Sequence, residues 1–219
     1  PSRVIRTIQS FAANNTLWLH VSVTLKETAL SFFMTMVISL FTALLFWRFR
    51  WFYKLFEPYL ILLNSLPKSA LAPLLIVWLG NKPRTIIVVA VSLAVFGAIL
   101  TLYHAFESVD PEKIKLIQTL NGTKMHIITK VLLPSTVLVF INNMKVNIGL
   151  CLVGVIIGEF LAARAGLGYL IIYGSQTFKM DYVVTSIVIL CTAAIVLYAL
   201  LTWAESAYNR YYLKNASAN

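Results

Sequence analysis

The chain carries five apolar blocks, each long enough to cross a bilayer, and this confines it to helical membrane architectures before any motif is read. The blocks run from about Thr24 to Trp47, Leu55 to Leu79, Thr85 to Tyr103, Ser135 to Phe160 and Tyr182 to Trp203. At a rise of about 1.5 Å per residue, some 20 helical residues cross a hydrocarbon core about 30 Å thick. Lipid cannot solvate an unpaired peptide group, so such segments span as helices. Of 219 residues, 59% are hydrophobic and 12% charged, whereas a soluble domain carries about 25% charged residues to cover its core. The expectation is one all-α integral membrane domain over 1–219. It has a lead-in at 1–21, a polar stretch at 104–134 and a loop at 161–181. Val4–Phe11 reads as a short amphipathic stretch followed by a turn at Ala13-Asn14-Asn15. The start at Pro1, without a signal peptide, reads as the remainder of a longer protein.

The net charge of +10 does not point to nucleic acid, because the 18 Lys and Arg residues gather at block edges along the whole chain. Anionic headgroups and the positive-inside bias place them there. With 104–134 in the cytoplasm, nine basic residues fall inside (48, 50, 54, 113, 115, 124, 130, 210, 214) and seven outside (3, 6, 26, 82, 84, 164, 179). Residues 1–21, the 80–84 turn and the 161–181 loop are then extracytoplasmic. Cys151 and Cys191 share no metal-ligand or disulfide spacing and read as small core residues.

The 104–134 stretch carries strong local signals. Asp110 is placed to cap a helix, Pro111 suits its first position, and Glu112 favours the positive end of the dipole. The helix reads to Leu120 and stops at Asn121-Gly122, and Thr123 starts a second helix expected to end before Pro134. A capped excursion of this length is longer than a simple connection needs, which favours a docking element.

This stretch resembles the EAA loop of permeases from binding-protein-dependent ATP-binding cassette (ABC) importers. Lys115-Leu116-Ile117 occupies the Glu-Ala-Ala position, Asn121 the Gly position, and Val131-Leu132-Leu133-Pro134 the closing Ile-x-Leu-Pro. The spacing matches, while the Glu-Ala-Ala and Gly identities do not, and Gly122 is expected to supply the backbone freedom instead. Leu66-Pro67-Lys68-Ser69-Ala70-Leu71-Ala72-Pro73-Leu74, Val77-Trp78-Leu79-Gly80, Ser108-Val109-Asp110-Pro111, Gly158-Glu159-Phe160-Leu161 and Gly166-Leu167-Gly168-Tyr169-Leu170-Ile171 resemble the nitrate/sulfonate/taurine subfamily. The resemblance implies a type I importer transmembrane domain lacking the family's first span, in a bacterial cell membrane. It implies two permeases, here two copies of this chain, and two cytoplasmic ABC ATPase subunits that carry the ATP and Mg. An extracytoplasmic solute-binding protein delivers the solute. The coupling helix is then 111–122, with Lys115, Leu116, Gln118, Asn121 and Gly122 as the ATPase-coupling residues.

This chain binds no cofactor by this reading and is not an enzyme. None of its nine glycines is followed by Lys, as a phosphate loop requires, and His20, His104 and His126 lack metal-ligand spacing. His20 and His126 read as solvated or interfacial residues, and His104 as an interface residue where the third span meets the cytoplasm. An intramembrane hydrolase would need paired catalytic groups at depth, and the one mid-span acid or base is Lys68. The alternative class is an ATP-independent channel or secondary transporter, which gives no reason for the capped excursion.

The block from Leu55 to Leu79 is interrupted by Pro67 and Pro73, and Asn64 and Lys68 lie four apart, on one helical face that Glu57 extends towards the cytoplasm. A mid-span ammonium is costly, about 2.5–3.5 kcal/mol on insertion scales. Two readings stand side by side. The pair lines the translocation path and favours an anionic solute, or Lys68 pairs structurally with a carboxylate or carbonyl. Lys145 can snorkel to the interface or act in gating. Gly154 and Gly158 form a GxxxG face for close helix packing, within the chain or between permeases. Glu159, Gly166 and Gly168 frame a surface or re-entrant loop suited to receiving the binding protein.

Overall fold

Helices account for nearly all of the residues that a computed structural model describes, 16–216; the side chains of Lys68, Asn209 and 211–216 lie outside the description. In chain order the helices are α1 (Thr16–Arg48), α2 (Arg50–Ser65), α3 (Lys68–Leu79), α4 (Pro83–Glu107), α5 (Pro111–Thr119), α6 (Lys124–Ile127), α7 (Leu133–Ala162), α8 (Leu167–Gln176) and α9 (Met180–Ala216). Among the described residues, α1, α4, α9 and the continuous run from α6 through α7 are each long and apolar enough to cross a membrane, and α2 with α3 makes a fifth if counted as one broken span. The amphipathic stretch Val4–Phe11 and the Ala13–Asn15 turn lie outside the described residues. From Thr16 the expected lead-in is already part of α1.

One boundary differs from the sequence reading, and one agrees with it, each at a proline. The helix after Thr123 does not end before Pro134. It passes through a π turn (Ile128–Leu132) in which the Leu133 N–H bonds to the Ile128 carbonyl, and continues into α7. A wider turn gives the proline ring room and absorbs its missing donor. At the other site, Pro67 is extended, with ψ 90°, so α2 stops at Ser65 and α3 starts afresh at Lys68.

The chain divides into two compact units, and α1, α4, α7 and α9 contribute residues to both. One unit holds the described residues to Thr35 with Leu66–Ala94 and Asn147–Leu200. Its core joins Ile86 and Ala90 of α4 to Val155 and Ala162 of α7, Ala72 of α3 to Val89 and Leu93, and Leu152 to Leu167, Leu170 and Leu190. The GxxxG face lies inside this core. A Cβ on Gly154 would sit 2.5 Å from Ala90 Cα, and one on Gly158 would sit 2.8 Å from an Ile86 methyl carbon. The two glycines therefore bring α7 against α4 of the same chain.

The second unit holds Met36–Ser65, Val95–Val146 and Leu201 onwards. Tyr53 of α2 stacks on Tyr103 of α4, ring centroids 3.5 Å apart, with Phe46 edge-on to both. Asn143 donates to the Ala98 carbonyl at 3.4 Å. Lys145 does not snorkel to solvent: its ammonium forms an ion pair with Glu205 of α9, the two side chains only 14% and 20% exposed. A carboxylate within reach satisfies the charge better than extension to a distant interface.

Candidate functional site

The polar excursion becomes a short helix held at both ends by local bonds. Asp110 accepts the Glu112 N–H at 2.8 Å, and Pro111 opens α5. At the far end the Gly122 N–H bonds to the Ile117 carbonyl at 2.8 Å and the Asn121 N–H to the Gln118 carbonyl at 3.0 Å. This pair of bonds is a Schellman motif, with Asn121 in the left-handed position at φ 55°. The backbone freedom expected at Gly122 is thus supplied by Asn121, whose short polar side chain tolerates that region. Gly122 is required for space: a Cβ there would meet the Ile117 carbonyl oxygen at 2.6 Å.

The face that α5 presents is free of intrachain packing. None of its residues is buried, Lys115 and Gln118 are exposed, and Leu116 and Leu120 are 60% and 71% exposed. Nine residues are too few for a helix to persist on propensity alone. The caps hold its shape, and its outward face remains for a partner. His126 is not merely solvated, because its ring accepts the Thr123 N–H in a reciprocal capping box.

A second constellation surrounds the start of α8. The N–H groups of Gly166, Leu167 and Gly168 are three consecutive donors at a helix start, where no intrahelical acceptor exists. Gly166 donates to His20 Nδ1 at 2.9 Å, Leu167 to Thr24 Oγ1 at 2.8 Å and Gly168 to Glu159 Oε2 at 2.6 Å. The Thr24 hydroxyl in turn donates a hydrogen bond to Glu159 Oε1 at 2.7 Å. Both glycines are forced by this approach: a Cβ on Gly166 would lie 2.3 Å from the Glu159 carboxyl carbon, and one on Gly168 would lie 2.8 Å from its Cβ.

These contacts correct the expectation that Glu159, Gly166 and Gly168 meet a partner. Glu159 is 1% exposed and both glycines are buried, so they have no surface to offer. They fasten the loop, and its exposed residues are others, such as Phe178 and Met180. His20 and Thr24 are the residues whose role here the sequence reading missed, and His20 is half-buried. The available signal was their i, i+4 spacing, continued by buried Glu27, which places three polar groups on one face of α1.

The candidate path residues are separated by the break at Pro67. Asn64 ends up near the close of α2, Lys68 opens α3, and the shared helical face assumed for them does not exist. Asn64 packs against Gly97, where a Cβ would lie 3.2 Å from its Oδ1. The Lys68 side chain lies outside the described residues.

A family model described as "Binding-protein-dependent transport system inner membrane component" matches residues 35–210. A Haemophilus influenzae protein named "Probable ABC transporter permease protein" is 27% identical over 89% of this chain and 80% of its own length. The taurine transport system permease protein of Escherichia coli is 21% identical over 90% of this chain and 74% of its own. Among solved structures, a chain of the MetNI methionine ABC transporter in an inward-facing conformation superposes with a TM-score of 0.72 at 21% identity, covering 89% of this chain and 96% of that one.

Proposed function

Because this chain belongs to the family of binding-protein-dependent transport system inner membrane components, we propose that two copies of it form the pathway through which an ATP-driven importer moves a small anionic solute. It is an ABC importer permease, a multi-pass protein of the bacterial inner membrane with the type I transmembrane fold. The family is the transmembrane component and is not itself an ATPase.

The observation that carries the mechanism is α5, a helix capped at both ends with no buried residue and an exposed apolar pair, Leu116 and Leu120. Such a face fits a groove on a cytoplasmic ATPase subunit, where burying two leucines would drive docking. ATP-driven closure of two such subunits would draw the two α5 helices together and swing the spans between inward-open and outward-open states. The ATP and Mg belong to those subunits. The exposed part of the 161–181 loop would receive a solute-binding protein.

An anionic solute is favoured by the lysine at the α2–α3 break and by the likeness to a taurine permease, whose named solute carries a sulfonate. Crosslinking tests the mechanism: a cysteine replacing Leu116 should join the ATPase subunit in high yield, and one replacing Val153 should not. Equal yields at the two positions, or none at either, would defeat the docking assignment.

A further inference from the structure

A recess of about 480 Å³ lies between the end of α1, the start of α2, and helices α5 and α6. Arg48, Arg50 and Lys124 line it, with Trp47, Gln118 and two isoleucines, and no carboxylate is among the lining residues. Arg48 rests on the Phe49 ring, and among the described residues neither Arg48 nor Lys124 has a carboxylate at ion-pair distance. Arg50 approaches Glu107 at 3.9 Å, an exposed pair that leaves most of a guanidinium's five donors uncommitted. Three cations therefore converge on one recess, and among the described residues the long, exposed Arg50–Glu107 pair is the one carboxylate contact they make.

The recess lies at the end of a membrane-spanning helix that closes on Trp47 and Arg48, a pairing typical of the headgroup level. Phe41, Leu45 and Arg48 follow one another at spacings of four and three, so they share a face of α1. Both apolar members are exposed, Phe41 strongly so. An apolar track thus leads along α1 to a cationic end. A free phosphate ion would use the cations and leave the track idle, and an acidic side chain of a protein partner would do the same. A molecule with acyl chains and an anionic headgroup uses both.

We propose that this recess binds the headgroup of an acidic phospholipid, its phosphate held by Arg48, Arg50 and Lys124 and its chains lying along Phe41 and Leu45. Gln118 brings α5 into contact with the same ligand. A bound headgroup would brace the helix assigned above to ATPase docking, a consequence that rests on that assignment, although the lipid site itself does not.

The test uses the full chain with its ATPase subunit, reconstituted in nanodiscs of phosphatidylcholine with or without phosphatidylglycerol. Native mass spectrometry reads the retained lipid. Each juxtamembrane cation is worth about a fivefold preference for anionic lipid, so Arg48→Gln with Lys124→Gln should lower phosphatidylglycerol retention by about 25-fold. Arg48→Lys with Lys124→Arg should restore most of it, and ATPase activity should rise with phosphatidylglycerol in the wild type and this swap but not in the glutamine variant. Unchanged retention in the glutamine variant would overturn the site. Displacement of phosphatidylglycerol by inorganic phosphate would show a free-anion site instead. Loss of the ATPase subunit with lipid retained would show that the cations serve the protein partner. Retention is read on the permease, so it stands even if no ATPase subunit assembles.

Discussion

The Glu159 carboxyl group accepts the backbone N–H of Gly168 at 2.6 Å while its other oxygen accepts a hydrogen bond from the Thr24 hydroxyl at 2.7 Å. One buried side chain thus ties together the end of α7, the start of α8 and the first turns of α1. The Thr24 oxygen also accepts from Leu167 at 2.8 Å, so the hydroxyl serves as donor and acceptor at once.

Glu159→Gln should therefore behave as a damaging substitution despite its matched shape. An amide accepts on one side and donates on the other, so it gives up its bond from either Thr24 or Gly168. Leaving a buried group unsatisfied costs about 1–3 kcal/mol. Thermal denaturation in detergent should show this loss, and hydrogen exchange should localise the loosening to 163–176. Thr24→Ser should retain the wild-type pattern and Thr24→Val should not.

Gly154→Leu should reduce stability in the isolated permease, because the new side chain collides with Ala90 of the same chain. Overpacking of this kind costs about 1–3 kcal/mol. Melting the permease without any partner, at dilutions that separate protomers, checks the point. A loss seen only in assembled permeases would place the GxxxG contact between chains instead.

Removing Lys145 leaves the Glu205 carboxylate largely buried and unpaired. Lys145→Met should cost about 1–3 kcal/mol, and Lys145→Met with Glu205→Leu should recover most of it, since an apolar pair suits this site as well as a desolvated ion pair. Melting temperatures of the two single variants and the double variant give the coupling directly.

At the end of α5, Asn121→Gly should preserve or slightly raise coupling, as glycine enters the left-handed region more readily. Asn121→Val should cost about 1–2 kcal/mol in that conformation. Gly122→Ala should be worse than either glycine or asparagine at 121, because its methyl meets the Ile117 carbonyl. Solute-stimulated ATPase rates of the assembled complex rank the three.

These sites mark where local chemistry was enough to read the chain and where it was not. The apolar blocks, the Asp110-Pro111 start and the Asn121-Gly122 stop depend on residues within a turn of one another, and each is visible in the sequence. The assignment of roles within the stop was not, since a left-handed φ and a close approach both favour glycine, and only geometry separates Asn121 from Gly122. Tertiary pairings were out of reach for a different reason. Thr24 meets Glu159 across 135 positions and Lys145 meets Glu205 across 60, and no periodicity within one helix names a partner on another. Prolines fell between these cases: Pro67 and Pro134 were visible as disruptions, but a break at the first and a π turn at the second depend on the packing around them.

Gentle purification of the tagged chain from its native membrane tests most directly whether it works as the permease of an ATP-driven importer. The expected result is a stoichiometric companion with a Gly-rich phosphate loop, whose ATPase rate falls when Gly122→Ala is introduced into the permease. A chain that purifies alone and still moves solute down its gradient without ATP would contradict that function.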